Sequence, residues 1–183
     1  MIVAIGGPPG SGKTTAANLY AETYGAVVVS GGQLFREMAA EHGMDLVAYS
    51  AYAEKHHEVD RHLDAMVLAA VQRAVLEGRD VVVDGRIQAH LLRRASVRAC
   101  SVYVTAPIDV RAKRIADREG KSEKHALDEI LRREASERER YRAIYGIDLE
   151  DMGVYDLEID SAELRPPAIV KRIHEEAIAW ARS

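Results

Sequence analysis

Near the start of the chain, Gly7-Pro8-Pro9-Gly10-Ser11-Gly12-Lys13-Thr14 satisfies G-x-x-x-x-G-K-[ST] at every fixed position. Each fixed type answers a need of polyphosphate binding. Glycines let the backbone come close, so that consecutive N–H groups meet the phosphate oxygens. Lys13 supplies a point charge to the β- and γ-phosphates, and the Thr14 hydroxyl is a ligand for Mg²⁺. A helix beginning here adds the positive end of its dipole. Gly7 to Gly12, Lys13, Thr14 and Thr15 are therefore the expected ATP-binding set, with Lys13 also catalytic.

A second group follows the run Val81–Val83, which ends in Asp84-Gly85-Arg86. The carboxyl end of a parallel strand is where open α/β sheets bind ligands. Asp84 there is expected to hold Mg²⁺ through water, and Arg86 to grip a phosphate with its two-pronged guanidinium. Ser30-Gly31-Gly32-Gln33-Leu34-Phe35-Arg36 also leads from a strand end into a helix, making Arg36 a second arm for the same phosphate. Its bland alternative is an ion pair with Glu37 or Glu41. From Arg111 to Arg142 the chain carries eleven Arg and Lys against eight acids, a net +3 within a total of −4. That asymmetry suits a lid that closes over polyphosphate and offers guanidinium groups to the charge on a transferred phosphoryl. The alternative is a solvated helix with pairs such as Glu129–Arg133 and Glu134–Arg138. Arg133, Glu137 and Arg140 share one helix face.

Other chemistries find little support. No Asn-Lys-x-Asp sequence is present, so a guanine-reading GTPase lacks its usual base contact. His56, His57 and His62 match no zinc spacing, and Mg²⁺ is the sole metal expected. The single cysteine, Cys100, excludes an intramolecular disulfide and reads as a small buried hydrophobe. With 25 Lys plus Arg against 29 Asp plus Glu, the surface is not that of a dedicated nucleic-acid binder. No apolar run approaches the ~20 residues of a membrane span, and the start of the chain lacks the pattern of a secretory leader. A cytoplasmic protein without a membrane partner is expected.

These residues need elements to hold them. Apolar, β-branched runs at Ile2–Ile5, Ala26–Val29, Val81–Val83, Ala99–Val104 and Val154–Ile159 read as strands. Helices are expected at about Lys13–Tyr24, Gly32–His42, His57–Glu77, Pro107–Arg118, Ser122–Ile144 and Pro166–Ala181. Pro107 fits a first helical position, and Gly25 and Gly78 fit C-terminal caps. Val67, Val71 and Val75, four apart, are expected in the core, and Trp180 should anchor the last helix. The fold class is α/β, with a parallel five-stranded sheet and helices on both faces. The 183 residues suit a single domain, with an acceptor-binding insertion near 31–65 and a mobile lid near 119–140.

GPPGSGKTT, SGGQLFRE, VDGR, TAPIDVRAKRIADREGKS and ILRREASERERYRAIYGIDLEDMGVYDLEIDS together resemble cytidylate kinases, particularly the archaeal-type (d)CMP kinases, within the nucleoside monophosphate kinase superfamily. The resemblance spans nearly the whole chain. The phosphate loop marks only the superfamily, whereas Arg138 to Asp148 is more specific. The resemblance implies a three-layer P-loop kinase fold, ATP as donor, Mg²⁺, and CMP or dCMP as acceptor, in an enzyme that is often monomeric. It implies that Arg36 and Arg86 bind the acceptor's phosphate, that Arg114 and Arg118 flank ATP, and that Arg133 reaches the transferred group, with Arg118 and Arg133 catalytic. Glu137 and Arg140 take the pyrimidine nucleoside, and Ser30 adds an acceptor contact. Bacterial members carry Asp where this chain has Glu137. The residues alone leave open a small P-loop kinase for UMP, AMP or a non-nucleotide such as shikimate. They also leave open an ATP-switched RNA-binding module.

Overall fold

In the computed structural model, which describes residues 1–182, the first strand β1 (Ile2–Gly6) is buried from Val3 onward. A run apolar on both faces belongs at the centre of a sheet covered on two sides, and β1 lies there. It pairs in parallel with β3 (Val81–Asp84) and with β4 (Cys100–Thr105). Outside these lie β2 (Val27–Ser30) and β5 (Leu157–Asp160), giving the order β2-β3-β1-β4-β5. The register brings the strand ends level: Ile5 and Ser30 both oppose Asp84, and Gly6 opposes Tyr103. All the chemistry expected at strand ends therefore gathers along one edge.

Eight helices are present among the described residues. One face of the sheet packs on α1 (Lys13–Tyr24) and α8 (Pro166–Arg182), with Val3, Ile5, Tyr20, Val102, Ile159 and Ile173 at its centre. The other packs on α4 (Glu58–Leu76) and α5 (Gln88–Arg94), around Val67, Val71, Val83 and Leu92. Besides a cluster that joins Ile87 and Leu91 to Tyr141 and Ile147, two further small apolar clusters lie away from the sheet's centre. One joins α2 (Gly31–Glu41), α3 (Leu46–Lys55) and the start of α4 through Met38, Tyr49 and Leu63. The other joins α6 (Ile108–Glu119) and α7 (Glu123–Tyr145) through Ile115, Ala126 and Ile130. No helix among the described residues is long and apolar enough to cross a membrane.

The structure differs from the sequence reading in several places. Helix α3 was not expected; its start is marked by Asp45, whose Oδ1 accepts from Ala48 N at 2.8 Å. Helix α5 has seven residues, too few for a periodic signal. Residues Met152–Val154 form a 3₁₀ turn, so β5 begins at Leu157 and not at Val154. Pro107 is the cap residue in extended backbone, one position before the first helical residue. Val75 is 46% exposed, and Ala74 takes its place in the core beside Val67 and Val71. The described part of the C-terminal helix includes Trp180, which packs against the α1–α8 side and lies under the Arg98 guanidinium. Cys100 is fully buried, and burial pushes its thiol up to about 12.

Candidate active site

The loop between β1 and α1 is tight because other parts of the chain close on it. A Cβ on Gly7, whose φ is +149°, would lie 2.1 Å from Val104 O; one on Gly10, at φ +80°, would lie 2.8 Å from Arg111 O. Only glycine fits either position. Pro8 and Pro9 are buried, and their carbonyls are used: Lys13 Nζ donates to Pro8 O at 3.3 Å, and Arg111 Nη1 donates to Pro9 O at 3.1 Å. Arg114 closes the loop from outside. Its Nη1 donates to Gly10 O, Ser11 O and Ser161 Oγ, its Nη2 donates to Ser161 O, and Ser161 Oγ donates to Ser11 O at 2.7 Å. The carbonyls thus face the protein; of the loop's N–H groups that of Ser11 donates to Pro8 O at 3.3 Å, and the others are oriented for an anion. Surrounding protein pushes the Lys13 ammonium down to about 8, against the pull of Asp84.

Beside the loop, Asp84 is 2% exposed. Its Oδ2 accepts from Thr14 Oγ1 at 2.8 Å and from Ser30 Oγ at 3.1 Å, while Oδ1 is buried with no hydrogen-bond partner. Ser30 Oγ also caps α2, accepting from Gln33 N at 3.3 Å. A hydroxyl and an unsatisfied carboxylate oxygen side by side are hard oxygen donors of the kind Mg²⁺ takes, with phosphates and water completing its shell. Thr14 and Asp84 therefore fit the ion. No group of three or more His, Cys, Asp or Glu that could hold a metal occurs among the described residues.

Across the sheet edge, α7 presents its 133–137–140 face. Glu137, 5% exposed, is held by two guanidiniums: Arg133 Nε donates to Oε1 at 2.7 Å, and Arg86 Nε lies 3.0 Å from Oε2. Burial works to raise the Glu137 carboxyl, but Arg133 and Arg86 outweigh it and hold it below the ordinary range. The same pairing raises both arginines, in Arg86 against the effect of burial. Lys13 feels the charges of Asp84, Arg133, Glu137 and Arg86, so the loop and this clamp face one another. One step along α7, Arg140 pairs with Asp60 of α4, Nε to Oδ2 at 3.1 Å, and Tyr145 O–H donates to Asp64.

Three of the expected residues lie outside this cluster. Arg118 is on the exposed end of α6, paired with Glu119 at 2.5 Å. Arg36 is exposed on α2 with its Nη1 turned back toward Gly32, and pairs with neither Glu37 nor Glu41. Thr15 is exposed in the first turn of α1. The helix pairs also differ from expectation. Glu134 pairs with Arg111 at 2.7 Å, Glu129 with Lys121 and His125, and Arg138 with Glu150 at 3.7 Å. Sequence reasoning missed Asp60 and Asp64, whose signal is two acids on the buried stripe that continues through Val67, Val71 and Ala74. It also missed Arg111, a charge on the buried side of α6 next to Ala112 and Ile115. Two surface grooves, of about 440 and 330 Å³, lie at the opposite, amino ends of the strands, around Met1, Arg79, Arg98 and Trp180. Neither contains a residue of this cluster.

Among solved structures, the chain is similar to an uncharacterized protein from Eubacterium ventriosum, with TM-score 0.71, 21% identity and coverage of 98% and 99% of the two chains. It is also similar to shikimate kinase from Aquifex aeolicus, with TM-score 0.61, 21% identity and coverage of 99% and 98%. At these identities the likeness is one of fold, that of P-loop kinases. Closer sequence relatives carry the name cytidylate kinase. The protein from Methanocaldococcus jannaschii is 43% identical over 164 residues, 89% of each chain. That from Pyrobaculum aerophilum is 42% identical, covering 90% of this chain and 85% of its own. That from Haloquadratum walsbyi is 41% identical over 179 residues, 98% of this chain and 90% of its own. The profile of the cytidylate kinase-like family matches residues 2–163, and the chain belongs to that family.

Proposed function

We propose that this protein is an ATP-dependent (d)CMP kinase. In the reaction, a 5′-phosphate oxygen of CMP or dCMP forms a bond to the γ-phosphorus of ATP. The bond from that phosphorus to the bridging oxygen breaks, and ADP leaves. The observation that carries this reading is the clamp at the sheet edge: Arg86 from a strand end and Arg133 from α7, both fixed on Glu137 and facing Lys13. Three cations against the carboxylates of Glu137 and Asp84 still leave positive charge where two phosphate groups must approach against their own repulsion.

The acceptor oxygen is already anionic at neutral pH, since the second ionisation of a phosphate monoester lies near ~6, so no general base is needed. The work of the chain is positioning and charge neutralisation. The loop N–H groups and Lys13 hold the donor's phosphates. Arg86, its fork oriented by Glu137, holds the acceptor's phosphate, with Arg36 supplied by movement of α2. Arg133 spends one nitrogen on Glu137 and keeps its terminal nitrogens for the transferred group. Thr14 and Asp84 would hold Mg²⁺, which would supply charge neutralisation for the donor's phosphates. The separate apolar clusters under α2–α3 and at the Ile115–Ala126–Ile130 end of α6–α7 support these segments moving as an acceptor flap and a lid, while Tyr141 at the other end of α7 stays packed on Ile87 and Leu91. Closure excludes water, which would otherwise compete as acceptor.

The test is ADP release from MgATP in the presence of CMP, dCMP, UMP, AMP or shikimate, each alone. Turnover with CMP or dCMP well above the others is expected. Preference for another acceptor, or stimulation by RNA alone, would overturn the reading.

A further inference from the structure

Helix α3 of the acceptor flap and helix α7 of the lid rest on apolar clusters that share no residue. Among the described residues one side-chain hydrogen bond joins the two helices: Ser136 Oγ of α7 donates to Glu54 Oε1 of α3 at 2.5 Å, across 82 positions of sequence. Its place is particular. Ser136 directly precedes Glu137, which orients Arg86 and Arg133, and follows Arg133 by about one turn of α7. Glu54 lies in the last turn of α3, next to Ala53, which is fully buried in the cluster that joins α2, α3 and α4. Farther along α7, Arg140 and Tyr145 are fixed on Asp60 and Asp64 of α4. The Ser136 bond is therefore the next link toward the mobile end of α7, and it meets the helix at the clamp itself.

The chemistry of the pair is that of a distance gauge. A hydroxyl inside a helix commonly donates to the carbonyl four residues back. Thr23 and Ser50 do so, to Leu19 O at 2.6 Å and to Leu46 O at 2.8 Å. Ser136 spends its single proton on another helix instead. Its length is that of a charge-assisted bond to an ionised carboxylate. A lysine or arginine on α7 could follow Glu54 through a wide range of helix positions on its flexible stem. A hydroxyl carried on Cβ cannot, so the bond holds only while α3 and α7 keep one spacing. Being exposed, it adds little to the stability of the fold; what it supplies is a fixed relation between two segments that are otherwise packed separately. Resting on the (d)CMP kinase reading above, we propose that Glu54 and Ser136 are positioning residues whose hydrogen bond makes the acceptor flap and the α7 clamp move as one body, so that closure of the flap on the acceptor brings Arg133 to the transferred group.

The experiment measures ADP release from MgATP with saturating CMP and without any acceptor, and takes the ratio as the acceptor's stimulation. In Ser136→Ala and in Glu54→Ala that ratio should fall at least about fivefold, the lower end of a coupling between two sites, with melting temperatures hardly moved. The double variant should lose no more than either single one, since both remove the same bond. Glu54→Gln keeps an oxygen that accepts from Ser136 and should retain most of the stimulation. A ratio unchanged in both single variants would overturn the proposal, as would losses that add in the double variant, or a Glu54→Gln enzyme as impaired as Glu54→Ala. A wild type stimulated by another acceptor and not by CMP would strike the (d)CMP reading instead, and the same ratios taken with that acceptor would still decide the role of the tether.

Discussion

Replacing Arg133 separates a catalytic guanidinium from a decorative one, because the two roles differ in size. Structurally, the side chain is 57% exposed and makes one ion pair, to Glu137 at 2.7 Å. With Arg133 exposed and the buried Glu137 still compensated by Arg86, loss of the pair costs about 1 kcal/mol, the upper end for a helical pair, which lowers Tm by roughly 2–4 °C in a chain of this length. Glu137 would not be stranded, since Arg86 remains 3.0 Å from its other oxygen. Catalytically, removal of one preorganised donor from developing charge costs about 10²–10³ in kcat, or roughly 2.7–4 kcal/mol. Arg133→Ala should therefore lose at least ~100-fold in kcat while its melting curve barely moves. Arg133→Lys, which keeps the charge and loses the planar fork, should fall between it and the wild type. KM for CMP and for ATP should change far less than kcat, as expected of a contact made only in the transition state. The assay is steady-state kinetics with both substrates varied independently, alongside thermal unfolding. An Arg133→Ala enzyme with kcat within about threefold of wild type, at unchanged Tm, would refute the reasoning. Arg118, 67% exposed and paired with Glu119, would then have to be brought in by a lid movement.

Lys13, held down at about 8 by the protein around it, loses its charge as pH rises through that value, so kcat/KM for ATP should decline above about pH 8. Lys13→Arg should remove that decline, and a profile flat to pH 10 in the wild type would contradict it. Chelation of Mg²⁺ should abolish turnover. Asp84→Asn should raise the Mg²⁺ concentration for half-maximal rate about 10–100-fold, a titration in which an unchanged midpoint would remove Asp84 from the metal site. Burial raises the Asp64 carboxyl from 3.8 to about 6. The stability it contributes is complete below the unfolded value and disappears as pH rises through the folded one, a swing of about 3 kcal/mol. Urea unfolding at pH 4 and pH 8 should show Asp64→Asn losing that dependence, and an unaltered slope would be the contrary result.

What the sequence made legible depended on whether a residue's role is local. The phosphate loop needs particular types at consecutive positions, and β1 and α1 supply its context within twenty-odd residues, so it could be read directly. Arg86 and Asp84 followed from their place at the end of an apolar run. The 133–137–140 face was visible as a helical period. Partners of those residues were not. Nothing local tells Glu134 to choose Arg111 over Arg138, because that choice is made by the packing of α6 against α7. Asp60 and Arg140 are eighty positions apart, and the acid's only trace is its intrusion on a buried stripe. The missed helix α3 has ordinary propensities. Its stability comes from Tyr49 and Ala53, which are fully buried against α2 and α4, a tertiary cause that no window of sequence contains.

The bracing of the phosphate loop by Arg111, Arg114 and Ser161 bears on when that loop acquires its shape. Residues 7–14 are consecutive, yet the carbonyls of Pro9, Gly10 and Ser11 find their donors only at 111, 114 and 161. β1 cannot sit at the centre of the sheet until β3 and β4 exist to flank it. The loop's motif is thus local, while its shape depends on the assembled sheet. A chain cut before α6 would hold the whole consecutive motif without any of the side chains that turn its carbonyls inward. A ligand that binds only the braced form of the loop would therefore stabilise the assembled fold over any state in which these distant contacts are unmade.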